Sequence, residues 1–273
     1  MKSKELYPSI FSRHAGAYQR RLNEIMRRGQ AQGRQRVIEL LNVTPGMRVL
    51  DLACGPGTLS GPLAKQVGPD GEVIGIDLAP GMIELARAAG LPNARFEVMD
   101  IEQLLFPDAT FDAAACGHGI QFAPDLGSAL RETRRVLRPG AKFAASVPVG
   151  SQKERPWALV EDVVNRYLPP APQAVDQQAT RAVVADVDAF RTAAIDAGFD
   201  EAVVEVTGEV VRWKSAGELV ALFMSWWDCA VRLEGVSSER SKQFAEEALV
   251  ALTKNYPGVI ETRESNHVLF ATA

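Results

Sequence analysis

Two hydrophobic patterns alternate along this chain. Short apolar runs bounded by turn residues predict buried strands, whereas apolar positions three and four residues apart predict amphipathic helices. Strands are predicted at Arg48 to Ala53, Glu72 to Asp77, 94 to 100, 111 to 117, 142 to 149, 201 to 213 and 266 to 273. Helices are predicted at 12 to 42, in the segment ending at Val67, between Pro80 and Gly90, and at Leu126 to Leu137, 180 to 198, 215 to 233 and 237 to 256.

Strands separated by helices are typical of a parallel sheet with helices on both faces. The pattern therefore predicts an α/β fold in which residues 48 to 150 form one doubly wound, Rossmann-like domain. Residues 1 to 47 are predicted to form a helical arm in front of it.

Composition describes an ordinary globular chain. Its 273 residues are 47% hydrophobic and 23% charged, which allows a sizeable core in one large or two small domains. The start of the chain lacks the apolar region of a signal peptide, and the longest apolar run, Leu219 to Trp227, is too short to span a bilayer. We therefore expect a cytoplasmic protein without membrane insertion. Three scattered cysteines and three histidines predict neither a disulfide framework nor a metal site.

Charge is distributed unevenly. Residues 1 to 48 carry ten Lys or Arg against three Glu, although the whole chain has a net charge of −4. A basic arm of this kind can contact nucleic acid or an anionic membrane. Apolar residues at helical spacing favour a solvated helix face instead. We expect no nucleic-acid partner; an RNA-binding arm would show steep salt dependence.

The stretch VLDLACGPGTLS, residues 49 to 60, places an acid inside a strand and small residues directly after it. Ligands of doubly wound sheets bind at the carboxyl ends of the strands, where glycines let the backbone approach them and the next helix offers free N–H groups. Asp77 follows Gly57 by 20 residues, the distance at which an acid accepts hydrogen bonds from ribose hydroxyls. The ligand is therefore predicted to contain a nucleoside.

Two nucleoside cofactors can be separated by the charge of this loop. The nicotinamide fingerprint GxGxxG is broken by Ser60, and Asp51 would repel a pyrophosphate. A carboxylate at this position suits a cationic ligand, and Asp100, at the end of the third strand, can accept from the adenine amine. Acids at three successive strand ends thus point to S-adenosylmethionine (SAM), and a nicotinamide oxidoreductase is the weaker alternative.

The motifs in residues 49 to 147 resemble those of the class I SAM-dependent methyltransferases. VLDLACGPG resembles the first motif, GEVIGIDLAPGMIELA the second, FEVMDIEQLLFPDATFD the third region and fourth strand, and ALRETRRVLRPGAKFAASV the fifth. Ala-Cys-Gly in the loop and GHGIQFAPD after the fourth strand are most similar to the ubiquinone and menaquinone C-methyltransferase group. The resemblance implies a mainly parallel seven-stranded sheet with an antiparallel last strand, divided into an N-terminal lid (1 to 47), a SAM-binding core (48 to 150), and capping helices with the last two strands (151 to 273).

The resemblance also implies a role for each matching position. The methionine portion of SAM would be held by Asp51, Ala53, Cys54, Gly55 and Gly57, with Cys116 and Gly117 beside its ammonium group. The adenosine portion would be held by Asp77 at the ribose and by Leu78, Met82, Asp100 and Ile101 at the adenine. For Asp51 a second interpretation is that it only fixes the loop. Cys54 has no basic neighbour in sequence to lower its pKa, which favours a small wall residue over a nucleophile.

Methyl transfer is an in-line displacement, so the main task of the protein is to hold the two reactants together and to exclude water. A base is needed only where the nucleophile arrives protonated. His118, just past the fourth strand, is the first candidate base, and a polar wall residue is its alternative interpretation. His14 in FSRHAGAY is the second candidate. The same segment resembles the lid of the family, in which Tyr18 would reach over the cofactor; ordinary helix surface is the alternative for both residues.

Residues 214 to 265 stand where the family has a short connection between its last two strands. The helix at 215 to 233 is apolar on most sides, so it is predicted to be buried in the core, to cap the substrate, or to form a homodimer face. The insertion at 151 to 181 is also expected to cover the substrate. A cap of Trp, Phe and Met suits an apolar or aromatic small molecule.

Together these features predict a SAM-dependent methyltransferase that releases S-adenosylhomocysteine (SAH). The expected acceptor is a carbon or oxygen of a phenolic, quinone-like or polyketide compound, as met in secondary metabolism. N-methylation of a small amine and a SAM-binding cyclase that transfers no methyl are the alternatives. GHGIQF stands in place of the Asn-Pro-Pro-aromatic motif of enzymes that methylate nucleic-acid bases, so DNA and RNA are not expected as acceptors.

Overall fold

The computed structural model describes residues 2 to 150 and 155 to 273, which contain one seven-stranded sheet. Its strands are β1 (Arg48–Leu52), β2 (Glu72–Asp77), β3 (Ala94–Val98), β4 (Phe111–Gly117), β5 (Leu137–Pro148), β6 (Glu201–Trp213) and β7 (Ile260–Thr272). Their order across the sheet is β3-β2-β1-β4-β5-β7-β6. Neighbours from β3 to β5 are parallel, and β7 is antiparallel to both β5 and β6. The expected α/β sheet with an antiparallel last strand is confirmed.

Helices precede, connect and follow these strands. The helices of the described residues are α1 (Ser3–Arg27), α2 (Gln32–Leu41), α3 (Ser60–Val67), α4 (Pro80–Ala88), α5 (Leu126–Val136), α6 (Arg155–Tyr167), α7 (Gln178–Val184), α8 (Val187–Asp196), α9 (Ala216–Met224), α10 (Trp227–Glu234) and α11 (Ser238–Asn255). A short 3₁₀ turn, Ile120–Phe122, follows β4.

Both faces of the sheet are covered, because successive residues of a central strand are buried on opposite sides. Val49 of β1 belongs to the hydrophobic cluster that includes Val37 of α2 and Leu63 of α3. Its neighbour Leu50 belongs to the cluster that includes Phe190 of α8 on the other face. Successive strands are added on one side of β1 as far as β3 and on its other side from β4 onward. The carboxyl ends of β1 and β4 therefore border a crevice.

A second hydrophobic core lies at the far ends of β6 and β7. It joins these strands to α6, α9, α10 and α11 and includes Trp157, Trp213, Phe223, Phe244 and Ile260. The apolar segment predicted at 215 to 233 contributes Leu219, Val220 and Phe223, each at most 5% exposed. Core packing is thus the outcome for these three residues, whereas Trp227 and Val231 of the same segment pack against the cluster that contains Tyr7 of α1. The homodimer face stays a prediction.

Three predicted helices have the wrong bounds. The helix predicted at 12 to 42 is two helices, since α1 begins at Ser3 and a turn with Gly29 at a φ of 69° separates it from α2. The helix predicted at 215 to 233 divides between α9 and α10. The helix predicted at 180 to 198 divides where Asp186 caps α8 by accepting a hydrogen bond from the Ala189 N–H (2.8 Å). Apolar periodicity continues across all three breaks and therefore does not reveal them.

The last strand is longer than its predicted span of 266 to 273. It pairs with β6 from Trp213↔Ile260 to Glu201↔Thr272, and the polar residues at its start hide this extension in the sequence. Residues 151 to 154, where the predicted C-terminal segment begins, lie outside the described residues, and the division into three segments stays a prediction. In the part of the chain that the structure describes, no helix is long and apolar enough to cross a membrane.

Candidate active site

A cavity opens at the carboxyl ends of β1, β2 and β4 and is covered by α1. The space between its walls is about 910 Å³, open solvent at its mouth included. The cavity brings together most of the predicted site residues: Tyr18, Asp51, Ala53, Cys54, Gly55, Asp77, Leu78, Met82, Asp100, Ile101, Gly117 and His118. It also exposes residues that sequence reasoning missed: Lys4, Tyr7, Phe11, Arg34, Leu59, Glu102 and Phe122.

The loop between β1 and α3 forms the floor of the cavity. Its backbone is left-handed at Ala53 (φ 49°), Gly55 (φ 56°) and Gly57 (φ 83°), a conformation that glycine adopts without steric cost. The Cys54 N–H donates to the Ile76 carbonyl (2.9 Å) and ties this loop to β2. The loop therefore presents backbone rather than side chains to a ligand.

Asp51 is 1% exposed, at the end of β1. Its carboxylate accepts a hydrogen bond from the Ser60 hydroxyl (2.5 Å), which ties β1 to the start of α3 as the loop-fixing interpretation requires. Oδ1, however, is buried without a partner among the described residues. Burial raises the pKa of Asp51 to about 7, while the Ser60 bond opposes the rise. A cation beside Asp51 would supply the missing partner and favour the ionised form.

Asp77 ends β2 and holds the glycine loop in place. Oδ2 accepts from the Gly55 N–H (2.9 Å) and Oδ1 from the Ala79 N–H (2.8 Å). Burial raises the pKa of Asp77, and these two bonds oppose the rise. Each oxygen keeps a second lone pair, so two neighbouring hydroxyl groups can bind this carboxylate together.

Asp100 has a partner that the sequence did not reveal. Lys4 Nζ lies 2.6 Å from Asp100 Oδ2 and 2.5 Å from Glu102 Oε2. Burial lowers the pKa of Lys4, but its contacts with the two acids outweigh burial and the net shift is upward. The start of α1 is thus fixed over this end of the cavity, and an adenine amine would share Asp100 with Lys4.

His118 lies just past β4 in a left-handed conformation with a φ of 61°, which is uncommon for a residue other than glycine. Its backbone N–H donates to the Ser146 carbonyl (2.9 Å). The ring nitrogen Nε2 is buried without a partner among the described residues. Burial lowers the pKa of His118 well below 6.5, the charges of Arg34 and Arg21 lower it further, and a hydrogen bond to Asn266 opposes them. The cavity therefore contains a neutral imidazole.

Two arginines stand beside His118. Arg34 of α2 lines the cavity, is 8% exposed, and donates from Nη2 to the Tyr18 hydroxyl (3.3 Å). Arg21 of α1 lies between two aromatic rings, with Cζ 5.5 Å from the Tyr18 ring centre and 5.4 Å from that of Trp226. Arg34 lies on the same face of α2 as the buried Val37 and Leu41. An arginine at helical spacing with apolar residues was therefore the sequence signal that could have identified Arg34 as a site residue.

Aromatic side chains of α1 cover the cavity. The Phe122 ring lies 5.0 Å from that of Tyr7 and 5.3 Å from that of Phe11, and the Tyr7 ring is 5.2 Å from that of Trp227 in α10. The Ser12 hydroxyl accepts from the Gly81 N–H (3.1 Å) at the start of α4. The N-terminal helix thus covers the cavity and touches both the sheet domain and the helices after β6, and it is called the lid below.

Three predicted residues do not line the cavity. Gly57 faces Phe96 beneath the loop, where a Cβ would lie 3.5 Å from its ring. Cys116 is 0% exposed, and burial raises its pKa to about 12. His14 Nε2 lies 2.7 Å from Glu234 Oε1, so His14 connects the lid to α10 and is not placed to accept a proton from a ligand.

Cys54 lines the cavity as a small side chain that is 6% exposed. Burial raises the pKa of its thiol well above 9, and Asp51 and Asp77 raise it further. A thiol in these surroundings stays protonated, which agrees with a wall residue and not with a nucleophile. Among the residues that the structure describes, no group of three or more His, Cys, Asp or Glu is placed to hold a metal ion.

Comparison with known proteins gives consistent results. A family model described as a methyltransferase domain matches residues 49 to 140. The chain is 30% identical over 171 residues to a demethylmenaquinone methyltransferase of Listeria welshimeri, covering 61% of this chain and 72% of the relative. It is 46% identical over 105 residues to a 2-phytyl-1,4-naphtoquinone methyltransferase of Synechococcus elongatus, covering 37% of this chain and 45% of the relative.

Among solved structures, the fold is similar to that of the YcgJ protein of Bacillus subtilis. The TM-score is 0.55 at 17% identity, and the alignment covers 88% of this chain and 97% of the other. The chain belongs to the class I SAM-dependent methyltransferases. It spans less than half of the length of the first curated relatives that it matches.

Proposed function

We propose that this chain transfers a methyl group from SAM to a carbon or oxygen atom of an aromatic, largely apolar small molecule. The observation that carries the proposal is that one cavity has two chemically different ends. Asp51, Asp77 and Asp100 stand at one end, where they match a cationic nucleoside. Arg34 and His118 stand at the other, where Arg34 donates to the Tyr18 hydroxyl.

The residues at the acidic end fit SAM. The unpartnered Oδ1 of Asp51 can accept from its ammonium group, and the two oxygens of Asp77 can accept from both ribose hydroxyls. Leu78 and Met82 offer apolar surface to the adenine, and Asp100, together with the backbone of Ile101, faces its polar edge. SAM bound here supplies an electrophilic methyl group on a cationic leaving group.

The contribution of the chain itself is positioning and exclusion of water. The lid shields the cavity through Tyr7 and Phe11. Gly117 is required at the end of β4, because a Cβ there would lie 2.8 Å from the Leu59 side chain. The neutral Nε2 of His118 can accept a proton from an acceptor that reaches it, or it can act as a polar wall.

The acceptor class follows from the walls and from the relatives. Tyr18, Phe11 and Phe122 offer ring surfaces, whereas the tryptophans of the predicted cap belong to the second core or contact the lid and do not line the cavity. Both relatives named above are described as methyltransferases of a quinone. These observations support a phenolic or quinone-like acceptor more than a small amine.

The basic arm supports a small-molecule acceptor over nucleic acid. Three of its arginines pair with acids from later in the chain: Arg28 with Glu218, Arg13 with Glu234 (2.9 Å), and Arg36 with Glu205 (2.8 Å). Arginines that connect the lid to α9, α10 and β6 are less available to phosphate groups. We propose no nucleic-acid partner.

The test is a reaction with SAM that carries a deuterated methyl group and a panel of hydroquinones, phenols and amines, followed by product mass. We expect an acceptor product with one labelled methyl group and equimolar SAH from a phenol or hydroquinone. An acceptor whose mass is unchanged after conversion would instead favour the cyclase alternative. A labelled amine would assign the N-methyltransferase alternative.

A further inference from the structure

Arg34 lies beside the end of β4, where the proposed function places the route to the methyl group. Its Cγ lies 3.5 Å from the position that a Cβ on Gly117 would take, so its stem passes over the end of β4. Its guanidinium reaches Tyr18 of the lid, and its side chain lines the cavity although the residue is 8% exposed. Burying a cation to this degree is costly unless a partner accepts its hydrogen bonds.

No carboxylate of the described residues forms an ion pair with Arg34. The acids whose charge acts on it are Asp51 and Glu209, and burial raises the pKa of both, Asp51 to about 7. Near neutral pH the carboxyl group of Asp51 is therefore partly protonated, and neither acid is within ion-pair distance of Arg34. Other titratable groups near it are Tyr18, which accepts its hydrogen bond, His118, which is neutral, and Arg21, which is cationic.

Arg21 increases the positive charge at this end. Burial lowers its pKa to about 10, so it stays protonated at neutral pH, and its Nε is buried without a hydrogen-bond partner among the described residues. The rings of Tyr18 and Trp226 hold it in place. Glu264 and Asp228 also act on Arg21, which does not line the cavity, whereas Arg34 is the guanidinium that does.

We infer that the acceptor binds as an oxyanion, an ionised phenol or enol hydroxyl, which accepts hydrogen bonds from Arg34 with Arg21 behind it. This inference rests on the proposed methyl transfer and adds the charge state of the acceptor. Arginine suits this role because its charge is permanent and its donors lie in a rigid plane. Arg34 would then determine specificity for acidic hydroxyl compounds.

Ionisation at this site also activates the acceptor. The hydroxyl proton leaves to solvent when the oxyanion binds. In O-methylation the oxygen forms the bond to the methyl carbon as the sulfur–methyl bond breaks, and the electron pair stays on sulfur. In C-methylation the oxyanion donates electron density to the neighbouring ring carbon, which forms the new bond and then loses its proton to His118 Nε2 or to water. Either route removes one positive and one negative charge, a change that a water-poor cavity favours.

The probe that tests this inference is 4-nitrophenol, because its absorption spectrum reports its ionisation directly. We expect the protein saturated with SAH to bind the probe as phenolate and to lower its apparent pKa by about one unit or more, which is a preference of about tenfold or more for the ionised form. Arg34→Gln should abolish this shift, and Arg34→Lys should retain part of it. Arg36→Gln is the matched control, since it removes a guanidinium from the other side of α2.

The outcomes separate the inference from the proposed function. Arg34→Gln should still bind SAH in calorimetry, which shows that the variant is folded and that the cofactor end is intact. A probe that binds in its neutral form, or does not bind, overturns the inference while SAH binding stands. If the protein binds benzoate but not 4-nitrophenol, the arginines recognise a carboxylate of the acceptor that is remote from its reacting atom. This result would also overturn the inference. Absence of SAH binding in the unaltered protein would instead overturn the proposed function.

Discussion

At the scale of single residues, burial disfavours the charged form of one acid and one base in the cavity. Burial raises the pKa of Asp51 to about 7 and lowers that of His118 well below 6.5, since it disfavours the charged form of each. Near neutral pH the cavity without ligand therefore holds a neutral imidazole and a partly protonated carboxyl group. A bound cation would favour the carboxylate, and the arginines keep the imidazole neutral.

Asp51→Asn is expected to flatten the pH dependence of stability. Between its ordinary pKa of 3.8 and its native pKa of about 7, the folded protein holds a proton that the unfolded chain has released, so stability is lost as pH rises through this window. The loss between pH 5 and pH 8 is about 2–3 kcal/mol from this group. Urea unfolding of both proteins at the two pH values measures it, and an unchanged slope in the variant would contradict the shifted pKa.

His118 is expected not to titrate between pH 8 and pH 6. Because the pKa of His118 is lowered in the folded protein, the unfolded chain binds a proton below about pH 6.5 and the native imidazole does not. The contribution of His118 to the stability of the fold is therefore lost as pH falls. With three histidines in the chain, proton NMR can follow each imidazole signal, and His118→Asn identifies the relevant one. Asn tolerates the left-handed backbone at this position. A midpoint near 6.5 for that signal would refute the assignment of a neutral base.

At the scale of elements, the sequence predicts the bounds of those strands and helices that local residue patterns determine. β2, β4 and β6 begin and end where predicted, because turn residues bound each apolar run. The start of α1 was missed, since Pro8 interrupts a segment that otherwise has helical spacing. The pairing of Lys4 with Asp100 joins residues far apart in sequence, and no local pattern contains it.

Gly119→Ala is expected to disturb the loop after β1 without unfolding the protein. A Cβ at Gly119 would overlap the Cβ of Ala53, so the loop after β1 must shift. We expect affinity for SAH to fall by about tenfold or more, which corresponds to about 1.4 kcal/mol. Gly258→Ala is the control, since a Cβ there meets no atom within 4 Å. Calorimetry that gives equal SAH affinities for the two variants would show that this packing does not govern the loop.

Tyr7→Ala is expected to release the lid. Tyr7 is 4% exposed and its ring contacts those of Phe122 and Trp227; deleting a buried aromatic ring costs roughly 3–5 kcal/mol. Because α1 packs on the rest of the protein partly through this ring, hydrogen exchange in residues 3 to 27 should rise more than in α5. Tyr256→Ala, which removes the same side chain far from the lid, should leave α1 protected. Uniformly faster exchange in both helices would mean that the lid has no separate stability.

At the scale of the whole molecule, the two ends of the cavity come from different parts of the chain. The motifs after β1, β2 and β3 form the acidic end, and the sequence identified most of that end because each acid follows its own strand. The cationic end is assembled from α1, α2 and the segment after β4, which only tertiary packing brings together. For this reason the sequence predicts the cofactor more completely than the acceptor.

The most direct test of the account is a calorimetric titration of ligand-free protein with SAH, and separately with NAD and NADP. We predict one SAH bound per chain, no detectable binding of either nicotinamide cofactor, and an affinity for SAH lowered about tenfold or more by Asp77→Asn, which replaces the carboxylate that we propose to bind ribose. Asp70→Asn, in an exposed turn, should bind SAH normally. Failure of the folded protein to bind SAH, or binding of NAD in its place, would contradict the central claim that these acids form a SAM site.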